Sequence, residues 1–190
     1  MRIAMQNFRI VFLGSFIPVL ISCGSVNYTP DGEDSALMLR GYDPVAYYTA
    51  GTPVVGRPEL KADHRGYYYR FTSDEHLRQF ITAPEKYAPQ FGGFCAQSMT
   101  YAIPVAADGR IFKIIDGKLY LFDSARARLY FEMDQERNLR LANHYWESEV
   151  KDSASWRYQS IKRLVFRVDG YRSNADLEEE YQRRFGRAPR

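Results

Sequence analysis

Hydrophobic positions along this chain fall into short runs, and their spacing switches between two and three-to-four residues. After Gly66, Tyr67-Tyr68-Tyr69-Arg70-Phe71 is an aromatic run of strand type. Thr72 and Ser73 are helix-capping residues, and Leu77, Phe80 and Ile81 recur at helical spacing. A helix from Ser73 or Asp74 to Thr82 is predicted, stopped ahead of Pro84. Ile111 to Ile115, then Asp116-Gly117, then Lys118 to Phe122 is the pattern of a hairpin with a type I′ turn, whose two central residues need positive φ. Helices follow over 125–133 and from 135 to about 147, the second with Leu139, Ala142 and Trp146 on one face. Pro53 and Pro58 predict that 49–60 is mainly loop. Past 150, residues 161–168 have strand character. Residues 174–185 read as a helix with a Leu177, Tyr181, Phe185 stripe, Glu179–Arg183 and Glu180–Arg184 pairs, and Gly186 and Pro189 at its end. No internal repeat is expected. The fold class is therefore α+β: an antiparallel hairpin or sheet packed by short helices, with a C-terminal strand–helix extension.

The N-terminus is organised differently. Arg2 and Arg9 precede a short apolar stretch over 10–21, which closes in Leu20-Ile21-Ser22-Cys23. That stretch is too short for a spanning helix and has the layout of a signal peptide. Its last four residues resemble a bacterial lipobox, which implies cleavage before Cys23 and lipidation of its thiol. Gly24 rather than Asp follows, which by resemblance to enterobacterial sorting permits export to an outer membrane. The expected layout is a lipoprotein-type signal peptide over 1–22, a flexible tether over 23–36, a domain over 37–150 and an extension of unassigned role over 151–190. With Cys23 lipidated, Cys95 is the one free thiol of the mature chain, either buried or reactive.

Composition narrows the function classes. The chain has 190 residues, 45% hydrophobic and 15% aromatic, with 15 Tyr and 12 Phe, enough for an aromatic core. The net charge of +3 includes the two arginines of the leader, and basic and acidic residues are interspersed. Nothing reads as a nucleic-acid footprint.

Several motifs occur in a fixed order: Gly41-Tyr42-Asp43-Pro44-Val45-Ala46-Tyr47-Tyr48, Tyr69-Arg70-Phe71-Thr72-Ser73, Pro84-Glu85-Lys86-Tyr87, Gly92-Gly93-Phe94-Cys95 and Gly117-Lys118-Leu119-Tyr120-Leu121. Over about residues 41–146 this set resembles the YHS domain, and best its cysteine-poor bacterial lipoprotein branch. The resemblance implies a small α+β module often linked to metal handling. Metal-associated members carry cysteines where this chain has Ala46, Thr72 and His76.

The candidate chemistry is accordingly sparse. His64, His76 and Cys95 could form a three-ligand zinc or copper site if they converge. Cys95, just after Gly92-Gly93, could be a nucleophile if a histidine lies beside it. Asp43 before Pro44 reads as a turn carboxylate bonding nearby N–H groups. The basic residues of the extension could meet anionic lipid or a protein, though Glu178-Glu179-Glu180 favours a solvated helix docked on the domain. The expected function is a non-catalytic binding or interaction domain without a cofactor, lipid-anchored in the cell envelope facing the periplasm. Its expected partners are the membrane and an envelope protein. The alternatives are weak copper or zinc binding or sensing and, less favoured, a Cys-dependent enzyme.

Lipidation is directly checkable. Mass spectrometry of the mature N-terminus should find diacylated or triacylated Cys23, since one acyl chain holds a protein only marginally. An unmodified Cys23, or cleavage elsewhere, contradicts this.

Overall fold

A computed structural model describes residues 36–153 and 155–186. The expected leader, Cys23, nearly all of the tether and Pro189 lie outside the described residues. A 3-10 turn at Met38–Gly41 leads to helix α1 (Ala46–Thr49). Strands β1 (Arg57–His64) and β2 (Tyr67–Phe71) form an antiparallel hairpin, followed by α2 (Asp74–Thr82) and α3 (Pro84–Tyr87). A second 3-10 turn, Gln90–Gly93, leads to α4 (Ala96–Met99). A second hairpin, β3 (Asp108–Ile115) with β4 (Lys118–Phe122), is followed by α5 (Ala125–Met133) and α6 (Gln135–Tyr145). A π-type turn at Trp146–Val150 connects to α7 (Trp156–Val165) and α8 (Asn174–Phe185). The class is α+β, as the pattern predicts.

The element order repeats, against expectation. Each half opens on three consecutive left-handed residues, Leu39-Arg40-Gly41 and Phe91-Gly92-Gly93. Each then forms a short helix and a hairpin whose turn has two positive φ values, Arg65-Gly66 and Asp116-Gly117. Register slips in the same place, between Arg57 and Lys61 and between Asp108 and Phe112. Each hairpin feeds a nine-residue helix capped by serine, Ser73 accepting from the His76 N–H and Ser124 from the Ala127 N–H. At one constant spacing, Gly66 matches Gly117, Tyr69 matches Tyr120, Phe71 matches Phe122, Ser73 matches Ser124 and Phe80 matches Phe131. Identity is confined to turn, cap and core positions, where backbone shape or packing dictates the residue. The intervening residues differ, which is why no repeat is legible in the hydropathy pattern.

The two halves share β4. Successive strand residues point to opposite faces. Leu119 and Leu121 enter one core with Val45, Tyr47, Tyr69, Phe71 and Phe80. Tyr120 and Phe122 enter the other with Phe91, Phe94, Met99 and Phe131. Rings within each core meet edge-on or tilted, as Phe71 with Phe80 and Phe122 with Phe131, the geometry aromatic pairs prefer. Tyr47 ties the halves further: its ring meets Phe112 edge-on and its hydroxyl donates to the Gly109 carbonyl at 2.8 Å.

Two predicted elements are corrected. Loop does not extend to residue 60, because β1 starts at Arg57 and includes Pro58. Pro58 lies in the register slip, where a missing N–H removes no ladder bond. Residues 161–165 belong to helix α7, not to a strand, and Ser155 caps it by accepting from the Tyr158 N–H. The stripe on α8 buries Leu177 but leaves Phe185 exposed, and Glu180 bonds both Arg184 and Arg172.

At Gly117 (φ +71°) an added Cβ would meet no atom within 4 Å, so substitution there tests backbone conformation alone. Gly117→Val should cost about 1–3 kcal/mol and lower the Tm, with Gly117→Asn milder. A wild-type melt for Gly117→Val would contradict the turn.

Candidate functional site

Asp43 is fully buried, and its carboxylate is surrounded by donors. Proline after it sets the local turn, so Oδ1 accepts from the Val45 N–H at 2.8 Å and the Ala46 N–H at 3.3 Å. The first hairpin and α2 supply the rest. Oδ2 accepts from the Thr72 N–H at 2.8 Å, the Thr72 hydroxyl at 2.7 Å and His76 Nδ1 at 2.6 Å. A carboxylate only accepts, so this geometry places the Nδ1 proton on His76. The other ring nitrogen, Nε2, lies 3.3 Å from Thr49 Oγ1. Burial of a charge is tolerated when it is hydrogen-bonded to this degree. The local turn is as the sequence implies. Its long-range partners are not: Thr72 and His76, two of the three positions where the resemblance places cysteines, bring their side chains to Asp43, while the third, Ala46, contributes only its backbone N–H.

The second half holds a changed version of this centre. Cys95 stands two residues after Gly93 as Asp43 does after Gly41, and Asp123 precedes Ser124 as Thr72 precedes Ser73. The acid has moved to the other partner: the Cys95 thiol donates to Asp123 Oδ1 at 3.3 Å. Ala127 replaces His76, and a cleft of about 240 Å³ opens there, lined also by Gln97, Tyr101, Arg126, Tyr130 and Tyr171. Burial, and then the Asp123 charge, push the Cys95 thiol up to about 12. It is protonated at neutral pH, the opposite of an activated nucleophile. The cysteine is buried, at the edge of that cleft.

His64, near the end of β1, lies in a third environment. Its Nε2 is 3.1 Å from Glu85 Oε1, which also takes Arg65 at 2.8 Å. The His64–Glu85 contact has ion-pair distance without hydrogen-bond alignment, and Nε2 is buried with no hydrogen-bond partner. We regard it as a close polar contact rather than a bond. His64 lines a cleft of about 460 Å³ with Tyr67, Tyr69, Arg65, Lys118 and Trp146.

The expected three-ligand metal site is therefore not assembled. His64, His76 and Cys95 face three different carboxylates, those of Glu85, Asp43 and Asp123. Among the described residues no group of three or more His, Cys, Asp or Glu side chains is placed to hold a metal ion. At the position implied by the resemblance, the donors among the described residues are one imidazole and one saturated carboxylate. That set does not fit a copper or zinc centre.

No protein-family model, no curated protein and no solved structure matches the chain.

Two outcomes follow from this geometry. Asp43→Ala leaves buried N–H donors and His76 without their acceptor, so denaturant unfolding should show a loss of at least about 3 kcal/mol. Asp43→Asn should lose less, and a neutral Asp43→Ala would contradict the account. Cys95 should resist iodoacetamide at pH 8 in the folded protein and react once it is unfolded. Because folding raises this thiol from its ordinary 9.0, its contribution to stability is full below pH 9 and is lost as pH climbs toward 12. Rapid labelling of the native protein would show that the thiol is not sealed.

Proposed function

We propose that this chain is an envelope lipoprotein whose folded part is a YHS-like, non-catalytic binding domain. One observation carries the reading. The Thr72 and His76 side chains, at two positions singled out by the resemblance, reach the carboxylate of Asp43 from about thirty residues away, and the backbone N–H of the third, Ala46, meets the same carboxylate from the Asp43 turn itself. A chance likeness of short motifs gives no reason for that convergence. What stands there is a hydrogen-bonded hub, which stabilises the domain and leaves recognition to its clefts. The 460 Å³ cleft sits beside the seam between the halves and offers aromatic faces, Tyr67, Tyr69 and Trp146, next to charges of both signs, Arg65, Lys118, Lys151, Glu85 and Glu147. Such a lining suits a polar segment of an envelope partner.

The metal alternative is left with pairs of donors, His64 with Glu85 and His76 with Asp43, each short of a three- or four-ligand shell. The Cys-dependent enzyme is left without an imidazole partner for its thiol, since His64 and His76 are engaged elsewhere and His144 packs on Tyr145.

The test uses full-length protein purified without a His-tag. Metal analysis should find well under one equivalent of zinc or copper, and chelator should leave the melt unchanged. Tight stoichiometric metal that is lost in His76→Ala would overturn the reading in favour of a metal carrier.

A further inference from the structure

Helix α7 is turned the wrong way round for a helix docked on a core. Its inward side packs one apolar residue, Trp156 of the first turn, against the second core and is polar beyond it. Gln159 is buried and donates to the Ala102 carbonyl at 3.2 Å and to Glu149 at 3.3 Å. Lys162 and Arg163 bond the same Glu149 carboxylate. Its outward side is apolar. Tyr158, Ile161, Leu164 and Val165, with Phe166 just beyond, are each between 62% and 70% exposed. The spacing 158, 161, 165 with 164 beside it makes one continuous face. An amphipathic helix buries its apolar stripe whenever the domain can offer a surface for it. Here the domain offers a carboxylate instead, and the apolar stripe is left outside.

Charge selects what covers it. From Ser155 to Val168 the sequence has Arg157, Lys162, Arg163 and Arg167 and no acidic residue. Glu149 engages Lys162 and Arg163. Arg157 and Arg167 flank the apolar face, lying over the rings of Trp156 (5.4 Å) and Tyr171 (4.1 Å). Pairing this face with a second copy of itself would set two basic segments against each other. An anionic surface with an apolar interior satisfies both features. Apolar residues, aromatic residues and arginines on one helix are the composition of an interfacial membrane helix. No helix among the described residues is long and apolar enough to cross a membrane.

We propose that α7 lies in the surface of an anionic phospholipid membrane, Tyr158, Ile161, Leu164, Val165 and Phe166 entering the acyl boundary and Arg157 and Arg167 meeting the headgroups. This contact is separate from lipidation at Cys23 and holds whether or not that thiol is modified. Where both operate, they are the two signals that durable peripheral attachment needs.

The test reads the helix itself, not attachment of the chain. Full-length protein with Cys23→Ser has one reactive position when Leu164→Cys is added, Cys95 being buried. An environment-sensitive fluorophore at 164 is followed on phosphatidylethanolamine vesicles with and without phosphatidylglycerol, including brominated lipid as quencher. The same label at Val55→Cys, exposed on the first half, is the reference. With phosphatidylglycerol present, emission at 164 should shift to the blue and be quenched at least about threefold more than at 55. Arg157→Glu with Arg167→Glu should remove that excess, because each cation near an anionic surface contributes several-fold in affinity. A label at 164 that stays aqueous on anionic vesicles overturns the proposal, as does equal quenching at 55 and 164. So does burial of the label that depends on protein concentration and needs no lipid, which would assign the face to a second copy. Mass spectrometry at Cys23 reports on the anchor independently, so failure of either claim leaves the other readable.

Discussion

Strand β4 is the constraint on which the fold rests. It is five residues long, and Leu119 to Phe122 are all buried. Alternation sends Leu119 and Leu121 into one core and Tyr120 and Phe122 into the other, so neither half closes without it. Burying the four side chains contributes roughly 1.5–3 kcal/mol each. A slip of one residue would exchange the two sets and place aromatic rings where leucines fit. The Asp116-Gly117 turn is what fixes that register, which makes a solvent-exposed turn matter to two interiors at once.

Duplication of the element order explains how two related polar centres come to differ. Both use the residue two places after a left-handed triplet and the residue just ahead of a serine cap. In the first half the acid is Asp43 and its partners are donors, Thr72 and His76. In the second the acid is Asp123 and its partner is the Cys95 thiol. Exchange of the acid keeps one carboxylate per centre, while replacement of His76 by Ala127 empties space beside it. One centre is thereby closed and structural, and the other borders a cleft.

Local chemistry made much of this legible in advance. The Asp-Gly turn, the serine cap of α2, the aromatic strand β2 and the Leu139, Ala142, Trp146 face all follow from short-range rules, and the structure has them. The failures share a cause. Residues 161–168 look like a strand only if their apolar residues are assumed to face inward, whereas α7 holds to the domain through Trp156, Gln159 and Arg163. Pro58 looks like a strand breaker only if no register slip receives it. The partners of Asp43 lie about thirty residues away, and no periodicity reports them. His64, His76 and Cys95 are chemically plausible ligands, but their separation is set by packing that the pattern does not encode.

Thr72 and His76, at two of the positions where the resemblance places cysteines, here close a hydrogen-bonded carboxylate. Nitrogen-15 and proton NMR of the His76 ring tests this most directly. The account predicts a downfield Nδ1–H resonance from the 2.6 Å contact with Asp43, lost in Asp43→Asn and unmoved by added zinc or copper(I). A His76 ring without that proton, or one whose nitrogen shifts report coordination when metal is added, would contradict it.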